Sequence, residues 1–401
     1  MYPFVKAFTN PQGSPIRELF KYLSKPGMIS FSGGSPASDL FDVDGLAKAA
    51  RSAFENKEAC LQYGATGGST ALRRHVIDLM EKRGVRVDES ELLITTGSQQ
   101  GLDLVVRILI EPSDIVYIDE PAYPATVQAF RLAGATMVPM PSDERGLNID
   151  ALEEQLESGD VRPRPKLIYT VPTFANPTGA TISRERRLRL LEIARRYEIL
   201  LVEDDPYSEL RFSGEEIPTM LSLSEEVSGS REWVVHLSSL SKIVAPGLRV
   251  GWTVGPAEIV RRCVIAKQTA DLCSPPWTQE IAASYMRDED LGGYVQQVSA
   301  VYGAKCRAMC EALRSELGDR IEFGQPEGGL FVWARFKGNV DTARLLTKAI
   351  EQNVIFVPGA AFYAKPQVSS ALRLSYATAS IDEIQEGVRR LARALAILKE
   401  Q

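Results

Sequence analysis

The chain has 401 residues, 44% of them hydrophobic and 24% charged, with a formal net charge of −6. That length supports a large core and more than one domain, and the acidic balance argues against a general affinity for nucleic acid or anionic membrane. The first residues, MYPFVKAFTNPQGSPIREL, lack the basic start and apolar core of a secretory signal, and no apolar run reaches bilayer-spanning length. The expected location is therefore the cytoplasm.

Residues 1–44 are rich in Pro, Gly and Ser, with one short helix expected around 15–23. Such an arm reads either as a strap across a partner subunit or as a loose terminus. Helices are expected over 47–56 and 70–82, joined by YGATGG. From Glu91 the runs LLITT, DIVYIDE, TMVPM, KLIYTVP, ILLVEDD, VVHLSS and RVGWTV read as strands. They alternate in part with amphipathic stretches at 101–110, 125–133, 149–157 and 183–197. Near-continuous apolar strands separated by helices indicate an α/β domain whose mostly parallel central sheet is covered on both faces. After Pro276 the texture changes to a long helix over 291–317, then EFGQPEGGLFVWARF, a helix at 341–352, strands VIFVPG and ALRLSYA, and a closing helix to Gln401. This reads as a smaller α+β domain. The expected division is an arm with part of the small domain at 1–44, a large domain at 45–277 and a small domain at 278–401.

Five cysteines and two histidines restrict the chemistry. Cys306 and Cys310 stand one helical turn apart, but no second Cys or His pair completes a metal site, so none is expected. His236 sits in an apolar strand and His75 in a charged helix, which gives poor support to a Ser-His-Asp hydrolase.

In covered sheets, ligands gather outside the carboxyl ends of the strands. The unusual residues fall there: GSQQG after LLITT, PAYP after VYIDE, NPTG after IYTVP and DDPY after LLVE. Between two strand-like runs lies SSLSKIVAPGLRVGW, with Lys242 behind Ser239 and Ser241 and seven residues before Arg249. A primary amine beside phosphate-ready donors suits a Schiff base with a phosphorylated aldehyde; the bland alternative is an exposed lysine on a polar turn. Ser98 and the helix start after Gly97 would add donors for the phosphate. Asp204 either caps a turn or faces a pyridinium nitrogen, whose protonation makes the ring an electron sink. Tyr207 and Asn176 could donate to the ring's phenolate oxygen. Tyr123 either stacks on the ring or belongs to the core.

In order and spacing, Tyr63, Ser98-Gln99, Tyr123, Asn176-Pro177-Thr178-Gly179, Asp204-x-x-Tyr207, Ser239-x-Ser241-Lys242, Arg249 and Arg373 resemble the fold type I pyridoxal-phosphate enzymes. The resemblance is to the class I/II aminotransferases, in the branch of the 2-aminoadipate and kynurenine aminotransferases and the catalytic halves of MocR-type regulators. It rests also on SPIRELFKYLSKPGMISFSGGSPA, LQYGATGG, TTGSQQGLDL, EDDPYSEL and FVPGAAF…LRLSYA, and covers nearly the whole chain. It implies that Lys242 holds pyridoxal 5'-phosphate and shuttles a proton, and that Gln99 joins the phosphate contacts. Tyr63 would reach the phosphate of a neighbouring subunit in a homodimer. Arg373 would bind the substrate α-carboxylate together with Asn176. Gly34 lies in the segment lining the substrate pocket, where Gly34-Ser35-Pro36 departs from the family's usual Gly-Leu-Pro. Arg17 would approach the substrate side chain or else remain solvated. The implied reaction moves the amino group of an acidic or aromatic L-amino acid to a 2-oxo acid, 2-oxoglutarate first among candidates, by a ping-pong route. Two rivals share the scaffold: a lyase or synthase, and a regulatory effector domain, which the absence of a preceding basic DNA-binding unit disfavours.

Overall fold

The structure, a computed structural model, describes residues 2–9, 13–159 and 163–399. Eight strands make one sheet in the spatial order Leu92–Thr95, Gly251–Val254, Val234–Ser239, Leu200–Asp204, Leu167–Thr170, Ile115–Glu120, Thr136–Asp143 and Gly146–Leu147. The pairs from Val234–Ser239 to Thr136–Asp143 are parallel, and Gly251–Val254 runs antiparallel to both of its neighbours. Leu92–Thr95, Leu167–Thr170, Val234–Ser239 and Gly251–Val254 are buried at every residue. Burial of both faces is why these runs read as continuously apolar rather than alternating.

The topology collects chemistry at one edge of this sheet. Thr95, Gly251 and Ser239 lie side by side in register. The turn after Ser239 therefore returns Lys242 and Arg249 to the same sheet end that launches the helix Ser98–Leu109. The chain leaving Glu120, Thr170 and Asp204 brings Tyr123, Asn176 and Tyr207 to that same end.

A second sheet has the order Ile321–Phe323, Phe331–Phe336, Ala371–Ser375, Val357–Pro358, all antiparallel. Helices Leu291–Leu317, Thr342–Glu351 and Ile381–Lys399 accompany it; Glu400 and Gln401, expected in the closing helix, lie outside the described residues. The stretch VIFVPG is not one strand. Val354–Ile355 pairs in parallel with Ile29–Ser30, and Val357–Pro358 joins the four-stranded sheet. The change of partner falls at Phe356, which is fully buried. Through Ile29–Ser30 the N-terminal segment is tied to the C-terminal part of the chain. The short helix near the start is α-helical at Pro15–Glu18 and tightens to a 3₁₀ turn at Leu19–Tyr22. Among the described residues no helix is long and apolar enough to cross a membrane.

Candidate active site

Gly97 has φ +79°, a left-handed conformation that glycine adopts without strain, and the helix Ser98–Leu109 begins directly after it. A Cβ on the adjacent Gly251 would lie 2.6 Å from Gly97 C and Ser98 N, so only glycine allows the strand to approach this closely. The loop is held from behind. Arg249, itself at φ +54°, donates to Thr96 O at 3.0 Å. Thr96 N donates to Gln100 Oε1 at 2.9 Å, and Gln100 Nε2 donates to Asp271 Oδ2 at 2.7 Å. Asp271 is paired in turn with the fully buried Lys267 at 2.7 Å. Ser239 Oγ accepts from Ser241 N at 3.3 Å. The result is a cup of helix-start N–H groups, hydroxyls and one guanidinium, the donor set a phosphate dianion requires.

The cup opens into a cavity of about 180 Å³ that Ser98, Gln99, Tyr123, Asn176, Asp204, Tyr207, Ser239, Ser241, Lys242 and Arg249 all line. Lys242 Nζ donates to Gly34 O at 2.8 Å. Burial, with the nearby charges of Arg249 and Arg373, lowers its pKa to about 8. Asp204 receives the Tyr169 hydroxyl on Oδ2 at 2.6 Å, while Oδ1 is buried with no partner among the described residues. Burial raises its pKa to about 6. The Tyr207 phenol is also raised, by burial and then by the charge environment at Tyr123, with an opposing hydrogen bond from Asn176. Its ring meets Phe331 edge-on at 5.9 Å.

Arg373 is 1% exposed and stands beside this cavity. One terminal nitrogen donates to Asn176 Oδ1 at 2.8 Å and the other to Ser32 O. The guanidinium carbon lies 4.3 Å from the Phe331 ring centre and 5.1 Å from that of Phe362. Burial lowers the guanidinium pKa to about 10.

Ten of the expected residues thus meet in one cavity, with Gly34 and Arg373 bonded to its members. Two do not. Tyr63 is 79% exposed and lines no part of the cavity. Arg17 is also exposed and lies outside the lining, although its charge acts on Tyr123. Sequence reading missed Tyr169, Val171 and Leu102 in the lining, as well as Ser32 and Phe331 around Arg373. Only Tyr169 carried a usable signal, a polar tip within an otherwise apolar strand at the sheet's carboxyl end.

A bound pyridoxal phosphate fits this donor set: the cup for the phosphate, an amine of lowered pKa for the aldehyde, and an unpartnered carboxylate oxygen for the ring nitrogen. The fold and site define a fold type I pyridoxal-phosphate enzyme. Residues 26–391 match the family described as aminotransferase class I and II. The chain is 38% identical to aromatic-amino-acid aminotransferase 1 of Thermococcus litoralis, over 96% of this chain and 92% of that protein. It is 40% identical to 2-aminoadipate transaminase of Thermus thermophilus, over 98% and 96%. Among solved structures it matches a Pyrococcus horikoshii kynurenine aminotransferase in complex with PMP, KYN as substrates and KYA as products. That match has a TM-score of 0.93 and 36% identity, covering 99% of this chain and 97% of that one. The chain belongs to the class I and II aminotransferases, and it is a pyridoxal-phosphate-dependent aminotransferase.

Proposed function

We propose that the enzyme transfers the amino group of an acidic L-amino acid such as 2-aminoadipate, or of an aromatic one, to a 2-oxo acid, with 2-oxoglutarate as the expected acceptor. The observation that carries this reading is the convergence of Lys242, the unpartnered Oδ1 of Asp204 and the buried fork of Arg373 at one cavity. The donor classes are those named for the relatives from Thermococcus and Thermus.

When bound, the cofactor supplies an aldehyde that condenses with amines and a protonated ring that accepts electrons. Lys242 provides the anchoring amine at Nζ. Its lowered pKa lets Nζ take and return a proton at the substrate Cα near neutral pH. Asp204 Oδ1 would hold the ring nitrogen, with Asn176 and Tyr207 at the phenolate oxygen and Tyr123 on the ring face. Ser98, Gln99, Ser239, Ser241 and Arg249 would hold the phosphate. Arg373, with Asn176, would orient the substrate carboxylate as a bidentate fork. Gly34, whose carbonyl accepts from Lys242, would border the substrate, and Arg17 would reach its side chain. One site serving donor and acceptor in turn gives ping-pong kinetics.

We infer also that two copies share their sites. Exposed Tyr63 and Leu61, with the exposed rings of Phe54 and Trp277 tilted against each other at 5.0 Å, offer apolar surface fit for a partner, and Tyr63 would complete the other subunit's phosphate cup. The proposed division remains an arm with part of the small domain at 1–44, a large domain at 45–277 and a small domain at 278–401. All five cysteines are free, which suits a reducing compartment such as the cytoplasm.

The test is a half-reaction with a panel of L-amino acids, followed in the near-visible spectrum. Conversion to the pyridoxamine form, reversed by 2-oxoglutarate, is the expected result, and the fastest donor names the class. Release of keto acid and ammonia without any acceptor would make the enzyme a lyase and refute the proposal.

A further inference from the structure

Tyr169 lies on the strand Leu167–Thr170, 1% exposed, with its ring edge-on to Phe130 at 6.2 Å. Its register partner on the neighbouring strand is Val202. Residues two apart on a strand share a face, so Tyr169 and Asp204 lie on the same side of the sheet, at its carboxyl end. The phenol donates to Asp204 Oδ2 at 2.6 Å, a length typical of a hydroxyl bonded to a carboxylate. Burial, and then the charge of Asp204, hold the phenol's pKa well above its ordinary value, so Tyr169 remains a donor throughout the working range. Burial favours the protonated form of Asp204, and the Tyr169 hydrogen bond opposes it.

We propose that Tyr169 is a positioning residue, which fixes one oxygen of Asp204 and leaves Oδ1 as the acceptor for the protonated ring nitrogen of pyridoxal phosphate. The inference rests on the reading of Asp204 as the partner of that nitrogen. The bond does two things. It stops the carboxylate from turning about Cβ–Cγ, so a single oxygen is presented to the cavity. It also favours the anion where burial favours the acid, and only the anion holds a proton on the ring nitrogen by charge. This resembles the way an outer carboxylate orients a metal-bound imidazole.

The experiment compares two ligands in equilibrium dialysis with the cofactor-free enzyme: pyridoxal 5'-phosphate and its 1-deaza analogue, in which CH replaces the ring nitrogen. Tyr169→Phe keeps the ring and its contact with Phe130 while removing the donor. It should weaken pyridoxal phosphate by about ten- to a hundredfold, the size of a lost hydrogen bond to a charge, and leave the analogue unchanged. Equal losses for both ligands, or none, would overturn the inference. A folding defect lowers both affinities together, so their ratio is insensitive to it. If the phenylalanine variant is insoluble, Tyr169→Met, which fills the space with a flexible side chain, reads the same ratio. Asp204→Asn should also lose the preference for pyridoxal phosphate. If Asp204→Asn keeps that preference, the ring-nitrogen reading falls and Tyr169 with it. If Asp204→Asn loses it while Tyr169→Phe does not, only the Tyr169 inference falls.

Discussion

Replacing Arg373 by lysine keeps the charge and removes the planar fork, which isolates the feature on which the proposed carboxylate recognition depends. A guanidinium carries five N–H donors. In this structure one goes to Asn176 Oδ1 at 2.8 Å and one to Ser32 O, and Nε–H has no partner among the described residues. Three donors remain, enough for a bidentate carboxylate. A lysine ammonium has three in all, and Asn176 and Ser32 must be satisfied from the same three. The carboxylate then loses at least one charge-assisted hydrogen bond, worth about 1.5–3 kcal/mol, or about 10- to 150-fold in kcat/KM. The carboxylate is bound before and during reaction alike, so most of the loss should appear in KM. The assay is steady-state turnover of an L-amino acid beside the primary amine of the same side chain, which lacks the carboxylate. Arg373→Lys should depress the amino acid and spare the amine. An equal depression of both would refute the reasoning and place Arg373 in packing, as filler between Phe331 and Phe362.

The amine of Lys242 has its pKa lowered from 10.5 to about 8, so the neutral, nucleophilic form is gained as pH rises. At pH 7 about one molecule in ten carries it; stopped-flow capture of pyridoxal phosphate should therefore accelerate through about pH 8 and then level off, and Lys242→Ala should lose the step together with turnover. Gly97→Ala places a Cβ 2.5 Å from an Arg249 terminal nitrogen at φ +79° and ψ 163°; holding a side-chain-bearing residue in that region costs about 1–3 kcal/mol, and cofactor affinity should fall by about tenfold, whereas unchanged dialysis constants would mean the cup tolerates displacement of Arg249. If Tyr63 serves the partner's site, mixed dimers of Tyr63→Ala with Lys242→Ala regain one intact site of the two. Activity no higher than the sum of the separate variants at limiting cofactor would place Tyr63 outside the site.

How much could be read in advance depended on whether a residue's role was local. Gly97, Lys242 and Arg249 sit on short connections between buried strands, and the strands announce themselves by unbroken apolar runs, so the loops after them were legible. The helices Ala257–Ala270 and Pro276–Asp288 were not, because they bury polar residues: Lys267 against Asp271, and Gln279 against the backbone of Ser69 and Ser274. Such residues break an apolar stripe on paper and close a hydrogen-bond network in space. VIFVPG read as one strand because the exchange of sheet partner at Phe356 leaves no mark in hydropathy. The polar tip of Tyr169 marks it as a lining candidate, but its bond to Asp204 was hidden for a related reason. Its role comes from a diagonal contact across two strands, which depends on register. Tyr63 and Arg17 owed their assignments to resemblance, and the single chain holds neither in the cavity.

The charges around the cavity explain why these residues cohere as one device. Lys242, Arg249 and Arg373 are cations, and among the described residues Asp204 is the one carboxylate in the lining. Burial and mutual repulsion lower the pKa of Lys242, and burial lowers that of Arg373. Withdrawing cations from water without compensating anions costs free energy. In the roles proposed above, a phosphate dianion at the cup and a carboxylate at Arg373 would supply that compensation, and a ligand that binds only the folded chain would stabilise it by mass action. The same imbalance sets the chemistry. A cavity richer in counter-anions would hold Lys242 protonated, and one without Arg249 and Arg373 would lose both anchors. On the proposed reading the excess of positive charge serves anion binding and amine reactivity together, and Asp204 is the exception because it would face the cationic ring nitrogen.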